Sequence, residues 1–547
     1  MVVKSPHPDI GIPETNILSF LFGDGLNLPK KELWIDGHDD RKYLSHNSAL
    51  SWIKRLALGL DRRDVRSGDV VMVVSPNHIF VPVAYLGTVC GGRIFSGANP
   101  AFTDDEVCYQ MRDTSTRLVL VHPALLSTAR KAAVKANIPD SALFLFSDSE
   151  RASIDGIHDW RSLLAPEKEA SLYTWPIYDG PASKSTIAAI NYSSGTTGLP
   201  KGVMITHYNL IANVSQGVYL REDENGVERW IGVLPLYHAY GQMVLIMSAI
   251  KWKAQVYMQQ KFDFEDYLGL VQEKRITRLH LAPPLVVLLE KHPSVSKYDL
   301  SSVERLGCGA APLSESTETV VSKKFGTPIG QGWGMTEVTC TGTTCPAGFD
   351  DYKGSVGQLV PRSEAKLLDE SGKEVQPGEK GELFYRGPNV SPGYWKNEKA
   401  TGETMLEGGW LKTGDVAIVD EKGWFWIVDR LKACVAYGFQ VAPAELEAIL
   451  LTHPSIADAA VVGLSADFSG QEKVRAYVTI KPQAKGQIRE GDIVSWTDSK
   501  VAAYKRLTGG VVFVVEVPKS ASGKILRKVL REWAKRDASA EGTKARL

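Results

Sequence analysis

Short apolar runs alternate with helix-like segments over the first part of the chain. Val70 to Ser75 reads as a buried strand, Arg117 to His122 reads as a strand, and His78 to Val89 reads as an apolar helix. Thr103 to Glu106 has the spacing of a capping box, which predicts the start of another helix. Strands separated by helices predict a parallel sheet with helices on its faces. The same alternation continues from 186 to about 330.

The pattern changes after residue 353. From 353 to 428, short strand-like runs lie between clusters of Gly, Pro and Asp, which predicts a small β-rich subdomain. After Asp429 the periodicity predicts a compact α/β domain. Its helix-like and strand-like runs are Ala444 to Leu451, Ala459 to Gly463, Val474 to Ile480 and Val511 to Val515.

We therefore predict an α/β fold. A large N-terminal domain of layered α/β subdomains, with a small β-rich subdomain, is hinged to a small C-terminal α/β domain. With 547 residues, the chain is too long for one ordinary core. The predicted boundaries are 1–428 for the N-terminal domain, 429–432 for the hinge, 433–537 for the mobile domain and 538–547 for a polar tail, disordered as far as Lys544.

Composition narrows the class of protein. The chain is 44% hydrophobic and 23% charged, as in ordinary globular proteins. Basic and acidic residues balance at 63 each, so no overall field favours a nucleic acid or an anionic membrane. The six cysteines are scattered without a CxxC pair, which argues against a disulfide framework or a zinc site and indicates a reducing compartment.

Two segments bear on location. Trp230 to Ile250 lacks charged side chains and could span a bilayer by length, but Pro235 and His238 favour a buried loop followed by a core helix. We therefore expect no transmembrane segment, and we see no cleavable signal peptide. Ala545-Arg546-Leu547 resembles the small-basic-leucine peroxisomal address, the alternative being a chance match at a frayed end. We expect import through a peroxisomal receptor, and otherwise a cytoplasmic protein.

A loop rich in hydroxyls and glycines carries the strongest chemical signal. Between Ser193 and Gly202 lie four hydroxyl side chains, three glycines and Lys201, directly after a strand-like run. Glycines let backbone N–H groups approach an anion, and hydroxyls add donors, so the loop is suited to phosphate. It is not the usual P-loop, because Pro200 occupies the place of the second glycine. A flexible linker is the alternative.

Other elements are weaker when taken singly. In the segment from Gly330 to Glu337, the glycines permit close approach of a ligand to the backbone. Trp333 offers a stacking ring, Thr336 a hydroxyl, and Glu337 a carboxylate suited to Mg²⁺. Such glycine patterns also occur in turns. Gly309 to Pro312 offers small residues against which a flat ring could lie. Asp415 could accept bonds from two ribose hydroxyls, or belong to an ordinary Gly-Asp turn. Lys524 alone is indistinguishable from a solvated lysine.

Together these elements resemble the adenylate-forming enzymes, which comprise acyl-CoA synthetases, firefly luciferase and free-standing adenylation domains. Within them the chain is most similar to the 4-coumarate–CoA ligase branch. The resemblance covers nearly the whole chain, and the motifs occur in family order. They are YSSGTTGLPKGV at 192–203, LPLYHAYG at 234–241, CGAAPLS at 308–314, QGWGMTE at 331–337, WLKTGD at 410–415, VDRLK at 428–432, GFQVAPAELE at 438–447 and PKSASGKILRK at 518–528.

The resemblance implies an N-terminal AMP-binding domain with a site for ATP and Mg²⁺. The loop from Ser193 to Lys201 would hold the β- and γ-phosphates. Trp333, where the family usually has tyrosine, would sandwich adenine with the small residues, and Asp415 and Arg430 would hold the ribose. The residues implied for ATP or AMP are Ser193, Ser194, Gly195, Thr196, Thr197, Gly198, Lys201, Ala310, Ala311, Gln331, Gly332, Trp333, Thr336, Asp415, Arg430 and Lys524.

The implied catalytic residues are Lys524, Glu337, Thr336 and His238, with Glu337 as the metal ligand. A carboxylate must attack an already anionic phosphorus, and two like charges about 4 Å apart repel by ~4 kcal/mol at an effective dielectric of 20. A lysine and a divalent ion remove that penalty. In the family, the small domain swings about the hinge between adenylation and thioester formation.

The chain departs from the coumarate ligases after Lys432. One residue is missing from the run 433–438, and Ala436 replaces a lysine in a loop that lines the pantetheine tunnel of the family. Coenzyme A remains the expected acceptor because Lys261 matches a lysine that approaches the CoA phosphates. The residues implied for CoA are Lys261, Lys432, Gly438 and Phe439.

The acyl substrate is predicted only as a class. No aspartate for an amine lies near His238, which disfavours α-amino acids, and small pocket residues favour an aryl or a medium-to-long acyl acid. The implied pocket is His238, Tyr240, Gly241, Gly307 and Thr339, for which simple core packing is the alternative. An ATP-dependent acid–CoA ligase is the expected function. The competing functions pass acyl-AMP to a carrier protein, amine or oxygen, or bind without catalysis.

Overall fold

The computed structural model describes residues 2–193, 199–220, 228–311, 313, 315–346, 354–369, 371–430, 434–436, 439–441, 443–464, 472–518 and 525–544. By contacts, the chain divides into two compact units. The first contains 1–100, 107–192 and 202–429, and the second contains 101–106, 193–201 and 430–547. The predicted α/β class is confirmed, whereas the predicted hinge and domain limits stay predictions.

A six-stranded sheet forms the first layer of the large unit. Its strands, in spatial order, are Leu143–Leu145, Leu118–Val121, Val70–Val74, Ile94–Ala98, Ile187–Ser193 and Lys201–Thr206. The first five run parallel. Val70–Val74 is buried at every position, which is why it reads as a continuous apolar run.

A nine-stranded sheet forms the second layer. Its strands, in spatial order, are Gln358–Leu359, Thr343–Thr344, Ile329–Trp333, Arg305–Cys308, Arg278–Leu281, Arg229–Gly232, Gln255–Met258, Glu32–Asp36 and Asp39–Ser45. The central strands are parallel. Their side chains pack with helices Phe264–Glu273, Pro283–Lys291 and Glu315–Phe325 in one apolar cluster.

The predicted β-rich subdomain is a third sheet. It contains Val3–Lys4, Glu364–Leu368, Gly381–Arg386, Trp410–Val419, Met405–Leu406 and Phe425–Arg430. Trp333, Leu383 and Phe425 are among the residues of its core.

The remaining helices of the large unit surround the sheets. They are Ile17–Phe22, His46–Arg62, Val81–Cys90, Asp104–Thr114, Leu126–Lys135, Glu167–Ala170, Pro181–Ser185, His207–Tyr219, Ala239–Gly241, Ala249–Trp252 and Glu398–Thr404, with a π-helix at Gln242–Ser248. The 3₁₀ turns are Pro123–Leu125, Asp140–Ala142, Trp160–Leu163, Pro293–Lys297, Thr336–Val338 and Glu407–Gly409. Helix Asp104–Thr114 begins with the predicted capping box, since Thr103 and Glu106 exchange side-chain-to-backbone bonds.

Most of the apolar segment from Trp230 to Ile250 is buried or half-buried, as predicted, whereas His238 is exposed. It contains the end of a strand, a loop and then a helix that runs, through its π-helical part, from Ala239 to Trp252. Among the described residues, no helix combines the length and apolarity needed to cross a membrane.

The C-terminal α/β domain has its own sheet of Ile456–Leu464, Lys473–Ile480 and Val511–Phe513, beside a hairpin of Cys434–Ala436 and Phe439–Val441. Its helices are Pro443–Leu451, Glu490–Asp498 and Arg527–Lys544, with 3₁₀ turns at Pro482–Ala484 and Ala503–Lys505. The prediction that the tail is disordered from 538 to 544 is wrong, because the helix Arg527–Lys544 extends to the last of these residues. Each residue added to a formed helix gains a hydrogen bond, so a polar composition does not end it.

Candidate functional site

The predicted phosphate loop lies between two neighbouring strands in the sequence. Ser193 ends one strand and Lys201 begins the next in the six-stranded sheet. The predicted residues Ser194, Gly195, Thr196, Thr197 and Gly198 lie outside the described residues. The strand Ile187–Ser193, which precedes the loop, is bonded to the residue that follows the motif at 234–241. Its Asn191 and that residue, Gln242, exchange two amide hydrogen bonds of 2.8 and 3.0 Å. Both side chains are buried.

Glu337 is a buried carboxylate with a dedicated donor. The hydroxyl of Tyr394 donates to Glu337 Oε1 at 2.8 Å, and the backbone N–H of Ser391 donates to the Glu337 carbonyl at 2.9 Å. Burial, and then the charge of Glu337, raise the pKa of Tyr394 above its usual range, so the hydroxyl keeps its proton at neutral pH. This arrangement fixes the direction of the predicted metal ligand.

A single carboxylate fits Mg²⁺ better than it fits a dedicated protein-only metal site. Within the described part of the chain, no group of three or more His, Cys, Asp or Glu side chains could hold a metal ion. Mg²⁺ commonly takes one or two carboxylates and fills its remaining positions with water and substrate phosphates. Glu337 therefore suits an ion that arrives with ATP.

The turn after Glu337 is held by a buried amide. Asn389 is fully buried, and its Nδ2 donates to the carbonyls of Val338 and Thr341 at 3.1 and 2.9 Å. Thr339 has a φ of 67°, which is strained for a β-branched residue, and its hydroxyl donates to the Asn389 carbonyl at 2.7 Å. The predicted acyl-pocket residue Thr339 thus has a partner within the protein.

The residue predicted to stack on adenine is hydrogen-bonded to the residue predicted to bind the ribose. Trp333 Nε1 donates to Asp415 Oδ2 at 2.8 Å, and both residues are buried, with 6% and 2% of their surface exposed. The Trp333 ring packs 5.5 Å from the Tyr385 ring. So small an exposed area leaves only part of the indole for adenine.

The other predicted nucleotide residues occupy the ends of parallel strands. Gln331 donates to Glu318, and Gly332 lies one residue further along the same strand. Ala310, which follows the strand Arg305–Cys308, has a φ of 75° and is exposed, whereas Ala311 is half-buried. Strained backbone of this kind clusters at functional sites, and the carboxyl ends of parallel strands are where α/β proteins bind ligands.

His238 caps the helix that follows it. The backbone N–H of Tyr240 donates to His238 Nδ1 at 3.1 Å, so the neutral ring carries its proton on Nε2. The side chain is exposed, yet surrounding protein lowers its pKa below the usual value. His238 therefore offers a neutral N–H donor at neutral pH.

The glycines predicted for the acyl pocket differ in what requires them. A Cβ on Gly241 would lie 2.2 Å from the Pro235 carbonyl oxygen, so packing alone demands glycine there. A Cβ on Gly307 would meet nothing closer than 3.9 Å. Of the two, only Gly307 leaves space.

Most of the residues predicted to contact CoA, and the predicted catalytic Lys524, lie outside the described residues. Lys432, Gly438 and Lys524 lie outside the described residues, as does the tripeptide at 545–547. Arg430 and Phe439 are described only as strand backbone. Lys261 is exposed beside Phe262.

Two residues of this region were missed by sequence reasoning. Tyr394 and Asn389 contact the site from outside its motifs, and no local pattern marks them.

Family models and known relatives match most of the chain. The AMP-binding enzyme model matches residues 26–395, and the AMP-binding enzyme C-terminal domain model matches 445–524. The probable 4-coumarate–CoA ligase 3 of Dictyostelium discoideum is 37% identical over 549 residues and 97% of each chain. The phenylacetyl-CoA ligase epaB of Aspergillus niger is 34% identical, over 96% of this chain and 98% of its own.

The fold has solved counterparts. The amide bond synthetase McbA from Marinactinospora thermotolerans superposes with a TM-score of 0.80 over 95% of this chain and 99% of its own, at 23% identity, a likeness of fold alone. The sequence matches confirm the family inferred from the motifs: the chain belongs to the AMP-binding enzymes, the family of acyl-CoA synthetases and 4-coumarate–CoA ligases.

Proposed function

We propose that the chain activates a carboxylic acid with ATP and transfers the acyl group to coenzyme A. The observation that carries the proposal is the agreement, over nearly the whole chain, with enzymes named as CoA ligases. The relatives do not favour a carrier protein, an amine or an oxygen nucleophile as the acceptor of the acyl group. The similarity to an amide bond synthetase is a similarity of fold alone. The enzyme is thus an AMP-forming acid–thiol ligase.

Two displacements make up the reaction. A carboxylate oxygen of the acid attacks the α-phosphorus of ATP, the bond to the β-phosphate oxygen breaks, and pyrophosphate leaves. The thiolate of CoA then attacks the carbonyl carbon of acyl-AMP, and AMP leaves with the oxygen that the acid contributed. Each step needs an anion to approach an electrophile in an anionic environment, which is why cationic and N–H groups matter.

Residues of the large unit have defined tasks in this proposal. Asp415, held by Trp333, receives the ribose hydroxyls, and Thr336 contacts the α-phosphate. His238 meets the acid carboxylate with its Nε2–H. Glu337 would hold Mg²⁺, which would neutralise phosphate charge when bound. Tyr394 keeps that carboxylate oriented.

Lys524 completes the adenylation site in the proposal. It supplies the positive charge between the acid carboxylate and the α-phosphate, as the family motif PKSASGK implies. The shortened run at 433–438 affects the second step instead, because the corresponding family loop lines the pantetheine tunnel. Lys261 would contact the CoA phosphates.

Pyrophosphate release across a panel of aryl and aliphatic acids, with and without CoA, tests the proposal. We expect release that requires an acid, and acyl-CoA formation that requires CoA. Acyl-AMP that persists when CoA is present would assign the chain to another acceptor. No release with any acid would indicate a binding protein.

We also propose that Ala545-Arg546-Leu547 directs peroxisomal import. The tripeptide has the small-basic-leucine pattern of the receptor-read address. A fluorescent protein ending in the last ten residues should colocalise with peroxisomes, and the same fusion without the tripeptide should stay diffuse. Diffuse fluorescence of both fusions would contradict import.

A further inference from the structure

The two residues that flank the predicted phosphate loop at 193–201 are both connected to Asp113. Tyr192 directly precedes the loop, and its hydroxyl donates to Asp113 Oδ2. Gly202 directly follows the loop, and its carbonyl accepts the backbone N–H of Trp395 at 2.7 Å. The indole Nε1 of Trp395 in turn donates to the Asp113 carbonyl at 3.1 Å. Asp113 is therefore bonded to Tyr192 and, through Trp395, to Gly202.

The two flanking residues also lie against each other. A Cβ on Gly202 would be 3.4 Å from both Cζ and the hydroxyl oxygen of Tyr192, so the space between them is already filled. The rings of Tyr192 and Trp395 pack against the same small buried cluster, which comprises Val70, Ile94 and Ile190. Packing and hydrogen bonds together therefore set the positions at which the loop begins and ends.

The bond between Tyr192 and Asp113 has a well-defined donor. Burial, and then the bond to Asp113, raise the pKa of Tyr192 above its usual range, so the hydroxyl keeps its proton at neutral pH. A hydrogen bond to a carboxylate is stronger than one between neutral groups. The backbone of Asp113 is held as well, because Lys396 Nζ donates to its carbonyl at 3.0 Å and to Ser115 Oγ at 2.8 Å.

The segment that holds Gly202 also holds the predicted metal ligand. Val203 pairs with Tyr394 in an antiparallel bridge, and the N–H of Met204 donates to the Gly393 carbonyl at 3.0 Å. The hydroxyl of Tyr394 is the donor to Glu337. Mg²⁺ binds protein carboxylates and substrate phosphates together, so the loop and the carboxylate must be placed relative to each other.

We propose that Asp113, Tyr192 and Trp395 position the phosphate loop for the β- and γ-phosphates of ATP. The inference rests on the proposed function. Ordering a glycine-rich segment costs conformational entropy, and fixing its two ends in advance removes part of that cost before ATP binds. The three residues act through the loop and not on the nucleotide, so they are positioning residues.

ATP differs from AMP and acyl-AMP in carrying the β- and γ-phosphates. Release of either end of the loop should therefore weaken ATP binding and slow adenylation. It should leave AMP binding, and the reaction of presynthesised acyl-AMP with CoA, unchanged. Residues that only stabilised the fold would affect ATP and AMP alike.

The test measures the affinities for AMP and for ATP with Mg²⁺ by titration calorimetry, without an acid. Tyr192→Phe, which removes one hydroxyl, should weaken ATP binding by about 10-fold and AMP binding by less than about 2-fold. Asp113→Leu should have the same selective effect, and Asp113→Asn, which keeps an acceptor oxygen, should restore most of the ATP affinity. Affinities for ATP and AMP that change equally, or do not change, would overturn the inference.

Two further variants keep the result interpretable. Tyr477→Phe is the matched control, since the Tyr477 hydroxyl donates to Asp537 Oδ2 at 3.0 Å within the C-terminal domain, and it should leave both affinities unchanged. Trp395→Phe loses the Nε1 bond to Asp113 and should weaken ATP binding selectively even if Asp113→Leu does not fold.

The two proposals can fail separately. If the unaltered enzyme binds ATP and AMP but releases no pyrophosphate with any acid, the proposed function fails, and the two affinities still measure the positioning of the loop. If it releases pyrophosphate and Tyr192→Phe and Trp395→Phe leave the ratio of the ATP and AMP affinities unchanged, only the positioning role fails.

Discussion

The indole nitrogen of Trp333 donates a hydrogen bond of 2.8 Å to the carboxylate of Asp415, 82 positions further along the chain. Two residues inferred separately, one for adenine and one for ribose, are therefore a coupled pair. The bond fixes one carboxylate oxygen in a buried setting, where a charged acceptor without its donor is costly. We therefore expect nucleoside binding to depend on an N–H that a phenylalanine ring lacks.

Trp333→Phe should raise the KM for ATP by about 10-fold while changing the KM for the acid little, because it removes a hydrogen bond to a charged group. Steady-state pyrophosphate release checks this. Trp160→Phe is the matched control, since Trp160 is also a buried indole, which donates to the Ser147 carbonyl. An equal KM for ATP in the Trp333→Phe and unaltered enzymes would show that ATP binding does not depend on the hydrogen bond between Trp333 and Asp415.

Tyr394→Phe should shift the half-maximal Mg²⁺ concentration for pyrophosphate release upward by about 10-fold. The variant loses the hydroxyl that orients Glu337, and outer partners of metal ligands typically contribute this much. Tyr267→Phe is the control, because the Tyr267 hydroxyl is buried without a partner in the described structure. An unshifted Mg²⁺ dependence for Tyr394→Phe would show that Glu337 needs no such support.

His207 should make the fold acid-sensitive. Its Nδ1 accepts the backbone N–H of Ile17 at 3.1 Å, and burial lowers its pKa to about 3. The folded state thus binds a proton less readily than the unfolded state, whose histidine pKa is about 6.5. The stabilisation is complete above that value and falls by about 1.4 kcal/mol per pH unit as the pH drops toward 3.

The free energy of unfolding, measured with a denaturant between pH 7.5 and 5, checks this pH dependence. His207→Gln should flatten the slope below pH 6.5, because glutamine does not titrate. His158→Gln, at an exposed histidine, should leave it unchanged. Identical slopes for His207→Gln and the unaltered protein would rule out His207 as the source.

Lys524→Ala should reduce adenylation by about 10²-fold or more while retaining activity on presynthesised acyl-AMP. The lysine is proposed to neutralise charge only while the acid attacks ATP. Pyrophosphate release measures the first step, and CoA-dependent release of AMP measures the second. Equal losses in both assays would contradict this division of tasks.

Local patterns were sufficient for much of the fold. Periodicity and capping at Val70 and Thr103 mark elements that the structure contains, and the motifs were enough to identify the family. Residues adjacent in sequence share one loop or one strand end, which is why 331–337 could be interpreted as a unit.

Contacts between distant segments were not predictable in this way. Trp333 belongs to the nine-stranded sheet and Asp415 to the β-rich sheet, so they meet only because the two sheets pack together. Tyr394 donates to Glu337 from 57 positions away. Gly241 and Gly307 are identical in sequence terms, yet only the packing around each shows which one leaves space.

In the proposed reaction, the acid itself attacks the α-phosphorus of ATP. The most direct measurement uses the preferred acid of the panel, labelled with ¹⁸O in both carboxylate oxygens, and mass spectrometry of the nucleotide released with CoA. We expect AMP that carries one ¹⁸O atom, together with unlabelled pyrophosphate. Unlabelled AMP, or ADP with the label in inorganic phosphate, would contradict it.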